Sequence, residues 1–153
     1  MDFADGEEAL SIEGVGIGIP RPVFADVQAH AREAYPEECC GFLIGRKDGG
    51  ARLVEQCRRT PNVHPDHRGT RYTIDNRAIL ALEREFRGET RLVGIYHSHP
   101  DYPARPSAFD AERAWPWYAY VILAVVRGEL GDATAWTFDE DRREFRELSV
   151  RVS

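Results

Sequence analysis

The segment His97-Ser98-His99-Pro100 is the feature that most constrains how this chain folds and what it binds. It follows an apolar, partly β-branched run from Arg91 to Tyr96, which predicts a β-strand. Side chains alternate between the two faces of a strand, so both histidines leave the strand end on one face and the serine faces the other. Proline cannot donate to a sheet ladder, so the strand is expected to end there. The two imidazoles are therefore positioned to meet one metal ion.

A carboxylate eleven residues beyond the second histidine extends this pattern. Asp110 follows a Pro-rich loop and is predicted to lie on the first turn of a helix. Together with His97 and His99 it forms a zinc ligand set with the fourth position left for water, whereas structural zinc is normally closed by four protein ligands. Two simpler explanations stay open. A His-x-His pair on a strand is often an ordinary surface or core pair, and Ser107 with Asp110 resembles a capping box.

An upstream pair of glutamates adds to the motif, in the segment Pro36-Glu37-Glu38-Cys39-Cys40-Gly41. A Glu, then His-x-His-Pro, then Ser-x-x-Asp at this spacing resembles the JAMM (MPN-plus) zinc metalloproteases of the compact prokaryotic type. Three further segments are similar to family segments, namely residues 35–45, 71–75 and 115–122. The resemblance extends over about residues 14–150, which is nearly the whole chain.

The resemblance implies a role for each motif residue. Three side chains would hold one zinc ion per chain: His97, His99 and Asp110. Zinc-bound water would be the nucleophile, and Glu38 would act as general base and then general acid. Glu38 is chosen because it aligns with the family glutamate, and strand alternation would turn its neighbour Glu37 to the opposite side. Ser107 matches the family serine that donates a hydrogen bond to the tetrahedral oxyanion.

The resemblance also implies a substrate class. Compact members of this type resemble enzymes that process small β-grasp sulfur carrier proteins, releasing an amino acid such as cysteine or exposing a Gly-Gly end. The leading hypothesis is a zinc-dependent peptidase that hydrolyses a peptide or isopeptide bond at the C-terminal tail of such a ubiquitin-like carrier. A general isopeptidase on ubiquitin-like conjugates is the first alternative, and a non-catalytic MPN scaffold is the second. A nucleoside deaminase would need His-x-Glu and Pro-Cys-x-x-Cys, and the sequence contains neither.

Length and composition narrow the class of protein. The 153 residues predict one domain over residues 12–153, after a disordered acidic tail at residues 1–11. The net charge of −6 argues against broad nucleic-acid binding. The N-terminus lacks the features of a signal peptide, and the longest apolar run, residues 118–126, is too short to span a bilayer. We therefore expect a cytoplasmic protein without a membrane partner. Three cysteines, two of them adjacent, predict reduced thiols. The sequence does not indicate an oligomeric state.

Periodicity predicts an α/β fold with a mixed sheet. Strands are predicted at residues 14–19, 40–46, 52–59, 71–74, 92–97, 118–127, 133–138 and 145–152, and helices at residues 20–35 and 75–86. The turn signal Asp48-Gly49-Gly50 joins the second and third strands as a hairpin. The family resemblance implies a cytidine-deaminase-like three-layer fold, with the mixed β-sheet flanked by helices.

Two further features have alternative interpretations. The segment His64-Pro65-Asp66-His67 carries metal-binding side chains, but its loop context and the proline argue against a second metal site. Residues 52–71 are locally basic, which indicates either a solvated face or a docking surface for an acidic partner or a C-terminal carboxylate. The basic residues of this segment are Arg52, Arg58, Arg59, Arg68 and Arg71.

Overall fold

The computed structural model describes residues 16–153. This part of the chain contains three helices and seven strands in the order β1 (Gly16–Ile19), α1 (Arg21–Ala34), β2 (Cys40–Asp48), β3 (Ala51–Thr60), α2 (Asn76–Glu85), β4 (Arg91–Pro100), α3 (Ala108–Arg113), β5 (Ala119–Val126), β6 (Glu129–Asp139) and β7 (Glu144–Val152). The predicted acidic tail and the first two residues of the predicted first strand lie outside the described residues. No helix within residues 16–153 is long and apolar enough to cross a membrane.

The predicted elements are confirmed, with shifted ends, except at residues 71–74. The strand predicted there is wrong, because these residues form a loop. The Asn62 side chain donates to the carbonyl of Arg71 and accepts from the amide of Thr73. Two backbone groups that a strand would pair with a neighbouring strand are thus hydrogen-bonded to the Asn62 side chain instead.

The seven strands of the described chain form one mixed sheet that closes on itself, in the order β1-β3-β2-β4-β5-β6-β7. β7 completes the closure by pairing antiparallel with β6 and parallel with β1, where Ile17 lies opposite Val150. The α/β class and the mixed sheet are confirmed. The cytidine-deaminase-like three-layer arrangement is not confirmed, because the sheet is a closed barrel. Alternating hydrophobicity predicted β7 as a strand, but alternation does not specify which strands flank it.

Two apolar clusters lie on opposite faces of the central strands. α1 buries Val27 and Ala31 in the cluster that contains Leu43, whereas α2 buries Leu82 in the cluster that contains Phe42. Phe42 and Leu43 are neighbours on β2, so they point to opposite faces. β4 lies next to β2 in the sheet and is buried from its second residue to its ninth. Polar side chains at its C-terminal end are therefore kept from water.

Candidate metal centre

The C-terminal end of β4 brings the two predicted histidine ligands together. His97 and His99 are both buried, and their Nε2 atoms lie 3.2 Å apart. Asp110, on the first turn of α3, places Oδ2 3.4 Å from the Nε2 of His97 and 3.3 Å from the Nε2 of His99. The three atoms predicted to bind zinc therefore form a nearly equilateral triangle.

The size of this triangle fits a tetrahedral zinc site. Ligand atoms about 2.0–2.1 Å from a tetrahedral centre lie about 3.3–3.4 Å from one another. The observed separations of 3.2, 3.3 and 3.4 Å match this spacing. A charge-assisted hydrogen bond between nitrogen and carboxylate would instead shorten the distance to about 2.7–2.9 Å. The buried donor set thus fits a shared cation better than a simple ion-paired cluster.

The two imidazoles are oriented in different ways. Nδ1 of His99 lies 2.8 Å from the carbonyl oxygen of Pro103 and must donate to it, since a carbonyl only accepts. This leaves the lone pair of Nε2 available to a metal. Nδ1 of His97 is buried and has no hydrogen-bond partner within residues 16–153. Its ring instead stacks on Tyr72, with centroids 4.3 Å apart and planes at 22°.

The loop between β4 and α3, residues 101–107, is fixed to the rest of the barrel. Asp101 takes a left-handed conformation with a φ of 55°, and its carboxylate accepts hydrogen bonds from the Tyr35 hydroxyl and the Arg127 amide, both at 2.7 Å. The carbonyl of Ala104 accepts from the Thr134 hydroxyl at 2.6 Å. These bonds hold the Pro103 carbonyl, which lies between them, in the place where it orients His99.

Ser107 and Asp110 form the capping box that the sequence suggested. Oγ of Ser107 accepts from the Asp110 amide at 3.1 Å, and the Ser107 amide donates to Oδ2 of Asp110 at 2.9 Å. This is the same Oδ2 that faces both histidines, so the cap fixes the position of the carboxylate. Because Oγ accepts in this bond, the Ser107 hydroxyl proton stays available to another acceptor.

Glu38 lies beside the two histidines. Its carboxylate and a nitrogen of each imidazole all lie within 4.8 Å of one another. Oε1 of Glu38 is buried and has no hydrogen-bond partner in the described chain. Burial raises the pKa of Glu38 to about 8, with the positive charge of His99 opposing this rise and the charge of Asp110 adding to it.

Glu37 lies apart from the histidines. It is exposed and forms an ion pair with Arg68 at 3.4 Å. The structure therefore brings Glu38 and not Glu37 to the metal centre. The reason is not strand alternation, because both glutamates lie outside any strand, before β2 begins.

The backbone around Glu38 is fixed from both sides. Its amide donates to the carbonyl of Arg68 at 2.7 Å, and its carbonyl accepts from the Asn62 side chain at 3.0 Å. The next residue, Cys39, donates its amide to Oγ of Ser98 at 2.9 Å and accepts from the Ser98 amide at 3.2 Å. Ser98 thus faces away from the histidines, as predicted, and ties the segment of the glutamate to β4.

Burial and charge act against each other within the cluster. Burial lowers the pKa of His97, although Asp110 partly opposes this. Burial also disfavours the charged form of His99, but its hydrogen bonds to Asp110 and Pro103 outweigh burial and raise its pKa. Burial would raise the pKa of Asp110, but the imidazoles hold it well below its usual range. The aspartate is therefore ionised, as a metal ligand must be.

The second histidine segment packs against α3. Nδ1 of His64 lies 2.9 Å from the Thr73 hydroxyl, and its ring packs edge-on against Phe109, the neighbour of Asp110. His67 and Asp66 are exposed. Phe109 also contacts the guanidinium groups of two arginines. The periodicity of the sequence gives no signal for the contacts of His64 and Arg71, because they join a separate loop to a six-residue helix, whereas Arg113 lies four residues after Phe109 on that same helix.

Most of the basic segment is engaged within the molecule. Three of its arginines form ion pairs with glutamates: Arg58 with Glu85, Arg59 with Glu33, and Arg68 with Glu37. Arg52 is buried and donates to the carbonyls of Val93 and Trp117, both at 2.9 Å. These contacts leave little of the segment free to dock an acidic partner.

Comparison with known proteins identifies the family of this chain. Residues 20–139, which include every predicted site residue, match the family model described as prokaryotic homologs of the JAB domain. A desampylase from Haloferax volcanii is 40% identical over 132 residues, which are 82% of this chain and 88% of that protein. A probable TtuB-protein conjugate cleaving protease from Thermus thermophilus is 38% identical over 114 residues, 72% of this chain and 71% of that protein.

Two further proteins are similar to this chain. A CysO-cysteine peptidase from Mycobacterium tuberculosis is 33% identical over 100 residues, 65% of this chain and 66% of that protein. The solution structure of a protein from Desulfitobacterium hafniense superposes with a TM-score of 0.76 at 30% identity, over 90% of this chain and 92% of that one. The fold is thus shared with that solved structure over nearly the whole of both chains.

Proposed function

Since the chain belongs to the prokaryotic homologues of the JAB domain, we propose that residues 12–153 form one zinc metallopeptidase domain. It hydrolyses a peptide or isopeptide bond at the C-terminal tail of a ubiquitin-like (β-grasp) sulfur carrier protein. The observation that carries this proposal is the buried triangle of His97, His99 and Asp110 beside the unpartnered carboxylate of Glu38. The names of the relatives, a conjugate cleaving protease and a peptidase among them, support this reaction class.

His97, His99 and Asp110 would hold one zinc ion per chain. When bound, zinc polarises the scissile carbonyl and lowers the pKa of water towards about 7. The donor set is pre-positioned, because the Pro103 carbonyl orients one imidazole and the capping box fixes the carboxylate. Among the three ligands only Asp110 is negatively charged, so zinc bound to them would keep a net positive charge, which favours binding of a polarised carbonyl.

Glu38 would move the proton in the reaction. Its Oε1 is buried beside the histidines and has no other hydrogen bond among the described residues, so it can accept a proton from the attacking water and return it to the leaving nitrogen. Burial raises the pKa of this carboxyl, which helps it to hold the proton until the leaving nitrogen takes it. Glu38 could instead act as a metal ligand, since it lies in the same cluster. Oδ2 of Asp110 fits this role better, because it lies within 3.4 Å of both Nε2 atoms.

Ser107 would donate to the oxyanion. Its Oγ already accepts the capping bond from the Asp110 amide, which fixes the hydroxyl near the metal centre while its proton stays free. Removing one such donor typically lowers the rate by about 10²–10³-fold. The capping role and the catalytic role are therefore compatible at one side chain.

Cleavage of isopeptide-linked conjugates in general is the second candidate function. The name of the Thermus relative describes cleavage of protein conjugates, and that protein is 38% identical to this chain over 114 residues. The mycobacterial relative is named as a CysO-cysteine peptidase. The two reactions use the same site and differ in the leaving group, which is a lysine side chain in one and a C-terminal residue in the other.

A direct assay separates these functions. A purified β-grasp carrier with an added C-terminal cysteine, and the same carrier joined through Gly-Gly to a lysine of a reporter protein, are incubated with the enzyme and zinc. Mass spectrometry should show loss of the added residue, release of the reporter, or both, and the Glu38→Gln variant should show neither. Cleavage of the conjugate alone favours the second candidate. If neither substrate is cut with zinc bound, the proposed activity is wrong.

A further inference from the structure

A pair of stacked tryptophans projects from the loop between α3 and β5. Trp115 is 45% exposed and Trp117 is 51% exposed, and their rings stack with centroids 5.3 Å apart. The loop is held in place, because the Trp115 amide donates to the Tyr120 hydroxyl at 2.7 Å and the Trp117 carbonyl accepts from Arg52 at 2.9 Å. Rigid, exposed aromatic side chains are typical anchors of protein interfaces. We call this pair the tryptophan ridge.

A groove lies on each side of the tryptophan ridge. The first, of about 510 Å³, is lined by Trp115 and by Tyr72, the side chain on which His97 stacks. This groove therefore lies directly behind the metal centre. The second, of about 420 Å³, lies at the start of β4. It is lined by Trp117 and by Phe86, the residue that follows α2. The ridge thus contributes one tryptophan to a groove that Tyr72 lines and the other to a groove at the start of β4.

The second groove, which we call the cationic groove, has an excess of positive charge, although the whole chain has a net charge of −6. Lys47, Arg87 and Arg91 line it, and none of them forms an ion pair within residues 16–153. Its one acidic residue, Glu83, already accepts a hydrogen bond from a tyrosine hydroxyl. Burial and the nearby charges of Arg52 and Arg91 lower the pKa of Lys47. Crowded like charges of this kind favour an acidic partner.

We propose that the tryptophan ridge and the cationic groove dock the folded body of the ubiquitin-like substrate, through an apolar patch bordered by acidic side chains. This inference rests on the function proposed above. Leu92, which lines the cationic groove, and His97 are five residues apart on β4, or about 17 Å at about 3.3 Å per residue. A body seated on the ridge would therefore reach the metal centre through roughly five extended tail residues.

The test compares two substrates that share one tail. The first is the carrier joined through its tail to a reporter, and the second is a short peptide with the same tail sequence and leaving group. Two variants are made, Trp117→Ala and the double variant Lys47→Glu with Arg91→Glu. Each should raise KM for the carrier substrate at least tenfold, as expected for hot-spot residues, and change kcat less than about twofold. Neither variant should change KM for the peptide. Shortening the carrier tail to three residues should lower kcat/KM at least tenfold.

Matched control variants lie elsewhere on the surface. Val126→Ala removes an exposed apolar side chain at the end of β5, and Arg142→Glu reverses an exposed charge in the β6–β7 turn. Both should keep the wild-type KM for both substrates. If Trp117→Ala behaves like these controls on the carrier substrate, the docking site is wrong while the proposed function stands.

Direct binding separates the two proposals. If wild-type enzyme with zinc cuts neither substrate, the proposed function fails, and binding of the intact carrier to wild type and to Trp117→Ala then tests the surface. If Trp117→Ala binds the carrier at least tenfold more weakly than wild type, the docking proposal is supported. If the two bind equally, or if wild type does not bind the carrier, the docking proposal is wrong. Sedimentation tests whether the ridge binds a second copy of this chain instead. A wild-type dimer that Trp117→Ala dissociates, together with an unchanged KM for the carrier substrate, would show that it does and would overturn the docking proposal.

Discussion

Two faces of β4, one turned towards α1 and one towards the metal centre, bury polar side chains in different ways. On the α1 side, the Tyr96 hydroxyl lies 2.7 Å from Nδ1 of His30, and Oγ of Ser98 accepts from the amide of Cys39 at 2.9 Å. On the other side, Nδ1 of His97 and Oε1 of Glu38 are buried and have no hydrogen-bond partner in the described chain. The two faces alternate along the same four residues of one strand, so burial alone does not explain the difference.

The difference indicates which face is arranged for stability and which for chemistry. A buried polar group without a partner destabilises the fold by about 1–3 kcal/mol. On the α1 side the chain avoids this cost, whereas on the metal side it retains atoms that are free to exchange protons or bind a ligand. Substitutions on the metal side should therefore change zinc binding and turnover more than stability. Substitutions on the α1 side should do the reverse.

The largest effect is expected from His97→Ala. The variant removes one of three ligand atoms, so bound zinc should fall from one per chain to nearly none and turnover should be lost. Elemental analysis of the purified protein measures the zinc. Tyr96→Phe, one residue away on the other face, is the control and should keep its zinc. A full zinc content in His97→Ala would show that the ligand assignment is wrong.

The next largest effect is expected from Glu38→Gln. The amide keeps the size of the side chain but cannot accept a proton, so kcat should fall by about 10²–10⁴-fold while zinc is retained. The free energy of unfolding should not decrease, because a buried carboxyl is replaced by a neutral group. Glu37→Gln, on the exposed neighbour, should behave like the wild type. Loss of zinc in Glu38→Gln would instead make Glu38 a ligand.

A smaller effect is expected at Tyr72, which stacks on the imidazole that lacks a hydrogen bond at Nδ1. Tyr72→Leu removes the stacked ring and should lower zinc affinity about tenfold, at the low end of the effects seen for groups that orient metal ligands. Tyr72→Phe retains the ring and should retain the affinity. Competition with a chelator measures both. Equal affinities in the two variants would show that the stack does not position His97.

On the α1 side, Tyr96→Phe should lower the free energy of unfolding by about 1–2 kcal/mol, because it leaves Nδ1 of His30 without its partner. Zinc content and kcat should stay within twofold of the wild type. Denaturant unfolding of the metal-free protein measures the change. A stability loss accompanied by loss of zinc would mean that the two faces are not independent.

The last prediction concerns pH. Burial, followed by the charge of Arg59, lowers the pKa of His30 from 6.5 to about 4. The unfolded chain therefore binds this proton below pH 6.5 while the folded chain does not, so the free energy of unfolding should decrease as the pH falls from 6.5 to 4. The slope from this group is at most about 1.4 kcal/mol per pH unit, and partial exposure reduces it. His30→Gln should flatten this part of the curve, and an unchanged curve would contradict the assignment.

The metal centre could be predicted because its ligands are close together in the sequence. His97 and His99 follow the alternation of a strand, and Asp110 follows from a capping box, so local rules fix their directions. Glu38 lies before β2 and outside any strand, where alternation does not apply, and only the family resemblance selected it over Glu37. Tyr72 could not be predicted, because its contact with His97 joins a loop to a strand 25 residues away.

The closure of the sheet was also out of reach of local patterns, and it has a consequence for how the chain is made. The closure joins β1 to β7, and beyond it the Ser153 amide donates to the carbonyl of Ile19 at 3.1 Å. These contacts join the segments that are farthest apart in the described sequence, so their loop-closure entropy is the largest. A ribosome completes every residue of the metal centre before it begins β7. Until β7 emerges, the nascent chain exposes unpaired edges of β1 and β6, the kind of surface on which aggregation begins.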